Sequence, residues 1–341
     1  MKWILPLFIF SSIYQLPTVW ADTGLRLYEW HAPQTLRPLI LPVKSHETPA
    51  QAAARYVREL EKQPALMELF EGRSPDLSQA TFKLLGLNEK MEERALIMAN
   101  APRDYTQVSR RIENFSERFA QEKTRSYILP INANLGLSQE ETRDLFKMIS
   151  NEFPLLVNLG GDDVDPKFYK KENFHARNTI PIRDKFEIAL IRSYTAAEKG
   201  FHFAVCRGAQ ITAVALGYKL IQDIPFHLEH AGPHAENYHD IRLVKTTHGM
   251  LADAVKKSVG GLSVNSLHHQ AIIYKDGGPL ELAAVGEDGI TEALEAKNGR
   301  TFLTQFHPEL MDDSLGLEVV RKVVERKDYL LRHRCEGLFA F

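Results

Sequence analysis

Two short stretches carry residue types that do covalent chemistry. Phe203-Ala204-Val205 runs apolar into Cys206, and Arg207-Gly208-Ala209-Gln210 follows with helix-forming character. A strand over Phe201 to Val205 that turns sharply into a helix beginning near Gly208 needs small neighbours beside the turn, and Ala204 and Gly208 supply them. At such a corner Cys206 sits at a helix N-terminus, where the dipole and free backbone N–H groups favour thiolate over thiol. The same stretch reads equally as a buried structural cysteine closing a core strand. A base separates the two readings. Gln305-Phe306-His307-Pro308-Glu309 follows a second apolar run, Thr301 to Phe306, and places His307 and Glu309 two residues apart just past a strand end. A thiol nucleophile needs a base, and the base needs a third group to fix its tautomer, in any chain order. Alone, His-x-Glu is as readily a solvated loop; with an elbow upstream it points to Cys206, His307 and Glu309 working together.

The elements that must position these residues follow from pattern. Tyr127 to Pro130 reads as a strand. Ser138 with Glu141 forms a capping box for a helix around Glu140 to Ile149, and Leu155 to Leu159 reads as a second strand. Strand, helix, strand implies a parallel sheet with helices on its faces, and ligands in such sheets bind beyond the carboxyl ends of the strands. Gly160-Gly161 ends one of those strands, either as an ordinary turn or with an N–H aimed at a developing oxyanion. Earlier, Pro38 to Val43 suits a buried first strand. Thr48-Pro49 opens a helix through Ala52, Tyr56, Val57 and Leu60, and further helices are expected over Leu77 to Leu85, Lys90 to Ala99 and Val108 to Glu122. On that pattern residues 46–107 form a helical insertion, with the helix from Val108 as the crossover. Asp288-Gly289 turns the chain into an edge hairpin strand, Thr291 to Ala296.

With Leu159-Gly160-Gly161-Asp162-Asp163-Val164-Asp165-Pro166, Arg183-Asp184 with Glu187, Cys206 to Gln210, Val264-Asn265-Ser266-Leu267-His268-His269-Gln270 and Gln305 to Glu309 in this order, the chain resembles the class I glutamine amidotransferase-like γ-glutamyl hydrolases, of the type represented by γ-glutamyl-γ-aminobutyrate hydrolase. The resemblance covers roughly Ser126 to Leu310. It implies an α/β three-layer sandwich with a mostly parallel sheet of flavodoxin-like kind, and hydrolysis of γ-glutamyl amides without cofactor or metal. In that scheme Cys206 is the nucleophile, His307 the base and Glu309 its orienting carboxylate. The oxyanion donors are the backbone N–H groups of Gly160 or Gly161 and of Arg207, while Gln210, Asn265, Ser266 and His268 grip the γ-glutamyl head. Arg183, Asp184 and Glu187 read as loop-fixing ion pairs. The rival readings are an ammonia-supplying amidotransferase subunit and a non-catalytic binding protein on the same fold.

Composition bounds the partners. Hydrophobic content of 44% and charged content of 25% in 341 residues allow a full core, and a net charge of −2 with interspersed signs gives no electrostatic footprint for nucleic acid. The expected partner is a small γ-glutamyl substrate, with the oligomeric state open, a homodimer included. Lys2 ahead of the apolar run Trp3 to Trp20, with Val19 and Ala21 at a cut, predicts a signal peptide over 1–21, a hydrolase domain over 22–341, and export to a periplasmic or secreted location. Pro6 and Pro17 argue against a stable membrane span. A pairing of Cys206 with Cys335, the only two cysteines, would disable the nucleophile and is not expected. Asp162, Asp163 and Asp165 lack the glutamate that completes a calcium loop. His227, His230, His234, His239 and His248 match no compact zinc pair and are expected to be loop histidines. Asn114-Phe115-Ser116 fits a glycosylation sequon within a predicted helix.

Overall fold

Short runs that are apolar on both faces become the centre of the sheet, because only a strand covered by helices on both sides buries every side chain. The computed structural model describes residues 23–33, 35, 37–62, 67, 69–70, 73–86, 91–99, 108–131, 135–228, 234–244 and 249–333. The expected leader through Ala21, His230, His248 and Cys335 lie outside the described residues. The first half contains β1 (Arg26–His31), β2 (Leu39–Val43), α1 (Pro49–Leu60), β3 (Thr81–Leu84), β4 (Arg94–Ala99), α2 (Val108–Gln121), β5 (Arg125–Pro130), α3 (Gln139–Glu152) and β6 (Leu155–Asn158). There follow α4 (Pro181–Ala197), β7 (Phe201–Val205), α5 (Arg207–Ala215), β8 (Lys219–Ile221), α6 (Ile224–His227), β9 (Ala235–Leu243), α7 (Met250–Lys257) and β10 (Ser263–Leu267). The chain closes with β11 (Ala271–Ile273), β12 (Leu280–Gly286), β13 (Thr291–Ala296), β14 (Thr301–Thr304) and α8 (Ser314–Arg332).

The main sheet runs β10-β9-β12-β13-β14-β7-β6-β4-β5-β2-β1-β3, and β8 pairs with β11 apart from it. Its centre, from β14 through β2, is parallel throughout. Both flanks are antiparallel. β7 shows the layering. Phe203 packs edge-on against Phe115 of α2, while its neighbour His202 meets Tyr194 of α4. Successive strand residues point to opposite faces, so α2 and α4 cover opposite sides and the fold is an α/β three-layer sandwich with a mostly parallel central sheet.

The expected capping box of Ser138 with Glu141 forms on α3, and Thr48 caps α1 as expected, in a second box with Gln51 that the pattern had not marked. The helical insertion expected over 46–107 does not. The segment from Leu77 to Leu85 contains strand β3, and the one from Lys90 to Ala99 contains β4. Arg94-Ala95-Leu96-Ile97-Met98-Ala99 is composed of good helix formers, yet all six residues are buried and paired to β5, and Ala95 to Met98 are paired to β6 as well. Sheet pairing overrides a propensity worth only tenths of a kcal/mol per residue. Residues 46–107 therefore supply a central strand, and α2 is the crossover from β4 to β5. The N-terminal flank also contains β1, which pattern alone did not mark; its Trp30 is fully buried against Tyr56 of α1, Phe70 and Phe82 of β3. β13 pairs with both β12 and β14, so it is interior, not the edge strand expected.

Candidate active site

The turn from β7 into α5 places Cys206 at φ 53°, ψ −116°, a backbone region that non-glycine residues enter only at a cost of about 1–3 kcal/mol. Surrounding bonds hold it there: the Cys206 N–H donates to the Thr304 carbonyl at 2.7 Å, and the Cys206 carbonyl accepts from the Gln210 N–H at 3.0 Å. Gly208 is required for a different reason than the turn itself. A Cβ on it would lie 2.4 Å from the Asn158 carbonyl oxygen, so the first turn of α5 sits directly on the end of β6.

Below the elbow lies a fully buried charge cluster. The Arg207 guanidinium donates to Asp184 and to Glu187 on α4. Arg183 neighbours the same two carboxylates at 3.6 and 3.8 Å and donates to the Asp162 carbonyl at 2.9 Å. Asp184 also accepts from the Asp165 N–H at 2.8 Å. Two cations and two anions thus tie the elbow to the loop after β6. The acidic loop is consumed in the same scaffold: Asp163 pairs with His269 at 3.0 Å and accepts from the Arg177 N–H at 2.7 Å, and Asp165 accepts from the Lys167 N–H at 3.0 Å.

His307 and Glu309, just beyond β14, are both fully buried and hydrogen-bonded through Nδ1 and Oε1 at 2.7 Å. His307 Nε2 has no hydrogen bond of ordinary geometry. Its neighbour is the Cys206 sulfur. Burial opposes the Cys206 thiolate, but the charge of His307 and its contact with the sulfur, together with the charges of His268 and Arg111, outweigh burial and hold the thiol below its usual value. For His307, burial favours the neutral ring, yet Glu309 and Cys206 raise its pKa to about 9 against the opposing charge of Arg111. Burial likewise opposes ionised Glu309, and His307 overcomes it, so the carboxyl is held low. The three groups therefore favour one another's charged forms, a thiolate, an imidazolium and a carboxylate.

Gly160 marks where these groups meet. A Cβ there would stand 2.9 Å from His307 Cε1, 2.9 Å from Arg111 Nη1 and 3.4 Å from Cys206 Cβ. Arg207, first residue of α5, has no carbonyl four residues back in its own helix to accept its N–H.

The residues expected to grip the substrate head are buried and engaged within the protein. Asn265 clamps the base, its Nδ2 donating to the His307 carbonyl at 2.9 Å and its Oδ1 accepting from the His307 N–H at 2.8 Å. Ser266 donates to the His234 carbonyl at 2.9 Å. Gln210 donates to the Gln270 carbonyl and to Gln305 Oε1, both at 3.1 Å. His268 is held through Nδ1 by the Gln270 carbonyl at 3.0 Å. Asn265 and Ser266 belong to β10 rather than to the loop expected there.

Sequence reasoning placed α2 as the crossover helix but missed its part in the site. Asn114 donates to the Glu309 carbonyl at 2.9 Å, and Arg118 donates to the carbonyls of Pro308 and, at 2.7 Å, Met311. With Arg111 they lie at helical spacing, and that i, i+3, i+7 stripe of polar residues in a crossover helix was the available signal. The sequon at Asn114 is thereby explained as scaffold. The loop-histidine expectation also needs correction: His239 lies on β9, and His234, His239 and His268 surround the fully buried Glu292 of β13.

A parallel-centred α/β sheet with a cysteine at a strand-to-helix elbow, beside a histidine held by a carboxylate, defines a glutamine amidotransferase-like domain. The chain belongs to the Peptidase C26 family, whose model matches residues 101–309. It is similar to a Lactococcus lactis protein named "Putative glutamine amidotransferase-like protein YvdE", 37% identical over 45% of this chain and 65% of that one. A Mycobacterium tuberculosis protein named "Putative glutamine amidotransferase Rv2859c" is 41% identical over 48% of this chain and 52% of that one. Protein NtpR of Enterococcus hirae is 34% identical over 47% of this chain and 68% of its own length. The chain thus spans less than two thirds of the first two relatives.

Proposed function

We propose that this protein is a cysteine hydrolase of γ-glutamyl amide bonds, γ-glutamyl-γ-aminobutyrate or related γ-glutamyl peptides being the substrate class. The observation that carries the reading is the 2.7 Å His307 to Glu309 bond beside a cysteine at positive φ. Cys206 Sγ attacks the γ-carbonyl, forming a C–S bond as the carbonyl electron pair moves to oxygen. Backbone N–H groups of Gly160 or Gly161 and of Arg207 receive that oxyanion, each worth about 3 to 4 kcal/mol. The oxyanion collapses, the C–N bond breaks, and the amine leaves with the proton held on His307 Nε2. Water then gives a proton to His307 and its oxygen to the thioester; glutamate departs and the sulfur recovers its electron pair. Gln210, Asn265, Ser266 and His268 hold the wall and the base in register for this step. Arg111 tempers the imidazolium by repulsion.

Glutamate release from a panel of γ-glutamyl amines and peptides, glutamine included, tests the reading. Turnover dependent on Cys206 supports it. Ammonia formed from glutamine only with a copurifying acceptor enzyme would favour the amidotransferase alternative. Lys2 and the run from Trp3 to Ala21 support export after cleavage at Ala21. N-terminal sequencing tests this, and an intact Met1 on cytoplasmic protein would sink it.

A further inference from the structure

A second histidine and carboxylate cluster is centred on Glu292 rather than Glu309, and its geometry is different. Glu292 is fully buried on β13, and its Oε1 is 3.5 Å from His268 Nε2, 3.5 Å from His239 Nε2 and 3.8 Å from His234 Nδ1. Both Glu292 oxygens, His239 Nε2 and His268 Nε2 have no hydrogen-bond partner although buried. Orphaned buried acceptors of this kind each cost about 1–3 kcal/mol unless something satisfies them.

The outer bonds fix which nitrogen faces inward. His234 Nε2 is bound to Asp288 Oδ2 at 2.7 Å, and His268 Nδ1 to the Gln270 carbonyl at 3.0 Å. Each bond places a proton on the outer nitrogen, so in the neutral rings His234 Nδ1, which also lies 3.4 Å from Ser266 Oγ, and His268 Nε2 turn lone pairs toward a carboxylate. Lone pairs facing an anion repel unless a cation lies between them. Carboxylate-to-histidine and carbonyl-to-histidine bonds are also the outer contacts that orient imidazoles on metals. Ligand atoms about 2.0–2.1 Å from a tetrahedral zinc lie roughly 3.3 Å apart, close to the separations found here. The cage is rigid as well, because the His234 carbonyl accepts from both the Ser266 hydroxyl at 2.9 Å and the His268 N–H at 2.8 Å.

We infer that His234, His268 and Glu292, with His239 beside the same Glu292 oxygen at 3.5 Å, form a binding site for a divalent transition-metal ion, zinc by its imidazole-rich donor set. The ion joins β9, the end of β10 and β13 into one unit. It departs from the expectation of no metal, which rested on spacing: positions 234, 239, 268 and 292 form no compact motif and meet only in the folded sheet.

The test uses untagged, chelator-stripped full-length Cys206→Ala protein, so that neither the thiol nor a histidine tag binds metal and the outcome is independent of hydrolysis. Titration with cobalt(II) alone should bind one equivalent with the intense visible bands of tetrahedral coordination, and zinc should displace it. Asp288→Asn, at a partly exposed outer position, should weaken zinc binding about 10–100-fold, and Glu292→Gln by at least as much. X-ray absorption on the zinc-loaded protein, independent of whether Glu292→Gln folds, should show nitrogen and oxygen ligands dominated by imidazole. No binding at about 100 μM metal, which would leave a proton as the bridging cation, or unchanged affinity in both variants, overturns the inference.

Discussion

Two buried histidine and glutamate groupings, one just beyond β14 and one centred on Glu292 of β13, are built from the same residue types for different ends. In one, His307 and Glu309 are two residues apart in sequence and close to 2.7 Å. The carboxylate is consumed by the ring, the ring's other nitrogen turns to a sulfur, and the result is a proton carrier. In the other, Glu292 stands 3.5 to 3.8 Å from three rings, and the outer nitrogens of two of them, His234 and His268, are already bonded. That separation is too long for strong hydrogen bonds and suits a shared cation. A difference of about an ångström in donor-to-acceptor distance thus separates acid–base chemistry from metal ligation.

The largest expected effect comes from emptying the first grouping of its nucleophile. Cys206→Ala should lower glutamate release by about 10,000-fold or more, with the thermal transition retained; a rate within tenfold of the parent would exclude Cys206 as nucleophile. Glu309→Gln attacks the 2.7 Å bond itself and should cost about 1,000- to 10,000-fold in kcat. It also shifts the pH profile in a set direction. Because His307 is raised to about 9, largely by Glu309 against burial, the imidazolium persists below that pH and is lost above it. The parent's activity should fall on an alkaline limb near 9, and the limb should move to lower pH in Glu309→Gln. An unmoved limb would mean that Glu309 does not govern the ring.

Smaller losses should follow from disturbing position rather than chemistry. Gly160→Ala puts a methyl 2.9 Å from His307 Cε1, against a ring held by Glu309 and Asn265, and a displacement approaching 1 Å costs about 100-fold. The measurement is kcat, with KM little changed. Asn265→Ala removes two hydrogen bonds to the His307 backbone and should lower kcat by roughly 10-fold, by a similar factor for every γ-glutamyl amine. If Asn265→Ala instead re-ranked the amines, Asn265 would be reading the leaving group, not steadying the base. The second grouping answers the corresponding substitution, Glu292→Gln, in metal affinity, which completes the contrast.

The sequence by itself marked what is local. The β7 strand bounds, the elbow at Cys206, the N-cap at Thr48, the capping box at Ser138 and the His307 to Glu309 spacing each depend on residues within a few positions of one another, so their types and order were sufficient. Family resemblance extended this to the Arg183, Asp184 and Glu187 motif, although its partner, the Arg207 side chain, emerged only from the fold. What the tertiary structure decided was contact between distant segments. Arg94 to Ala99 has the composition of a helix and became a strand because β5 and β6 offered hydrogen bonds on both sides. Arg111, Asn114 and Arg118 entered the site only because α2 packs onto the loop after β14. Asn265 turned from a supposed substrate ligand into a clamp on His307, and three scattered histidines converged on Glu292, because strand register sets which side chains share a face and end of a sheet. Register is a property of paired strands, and no single stretch of chain contains it.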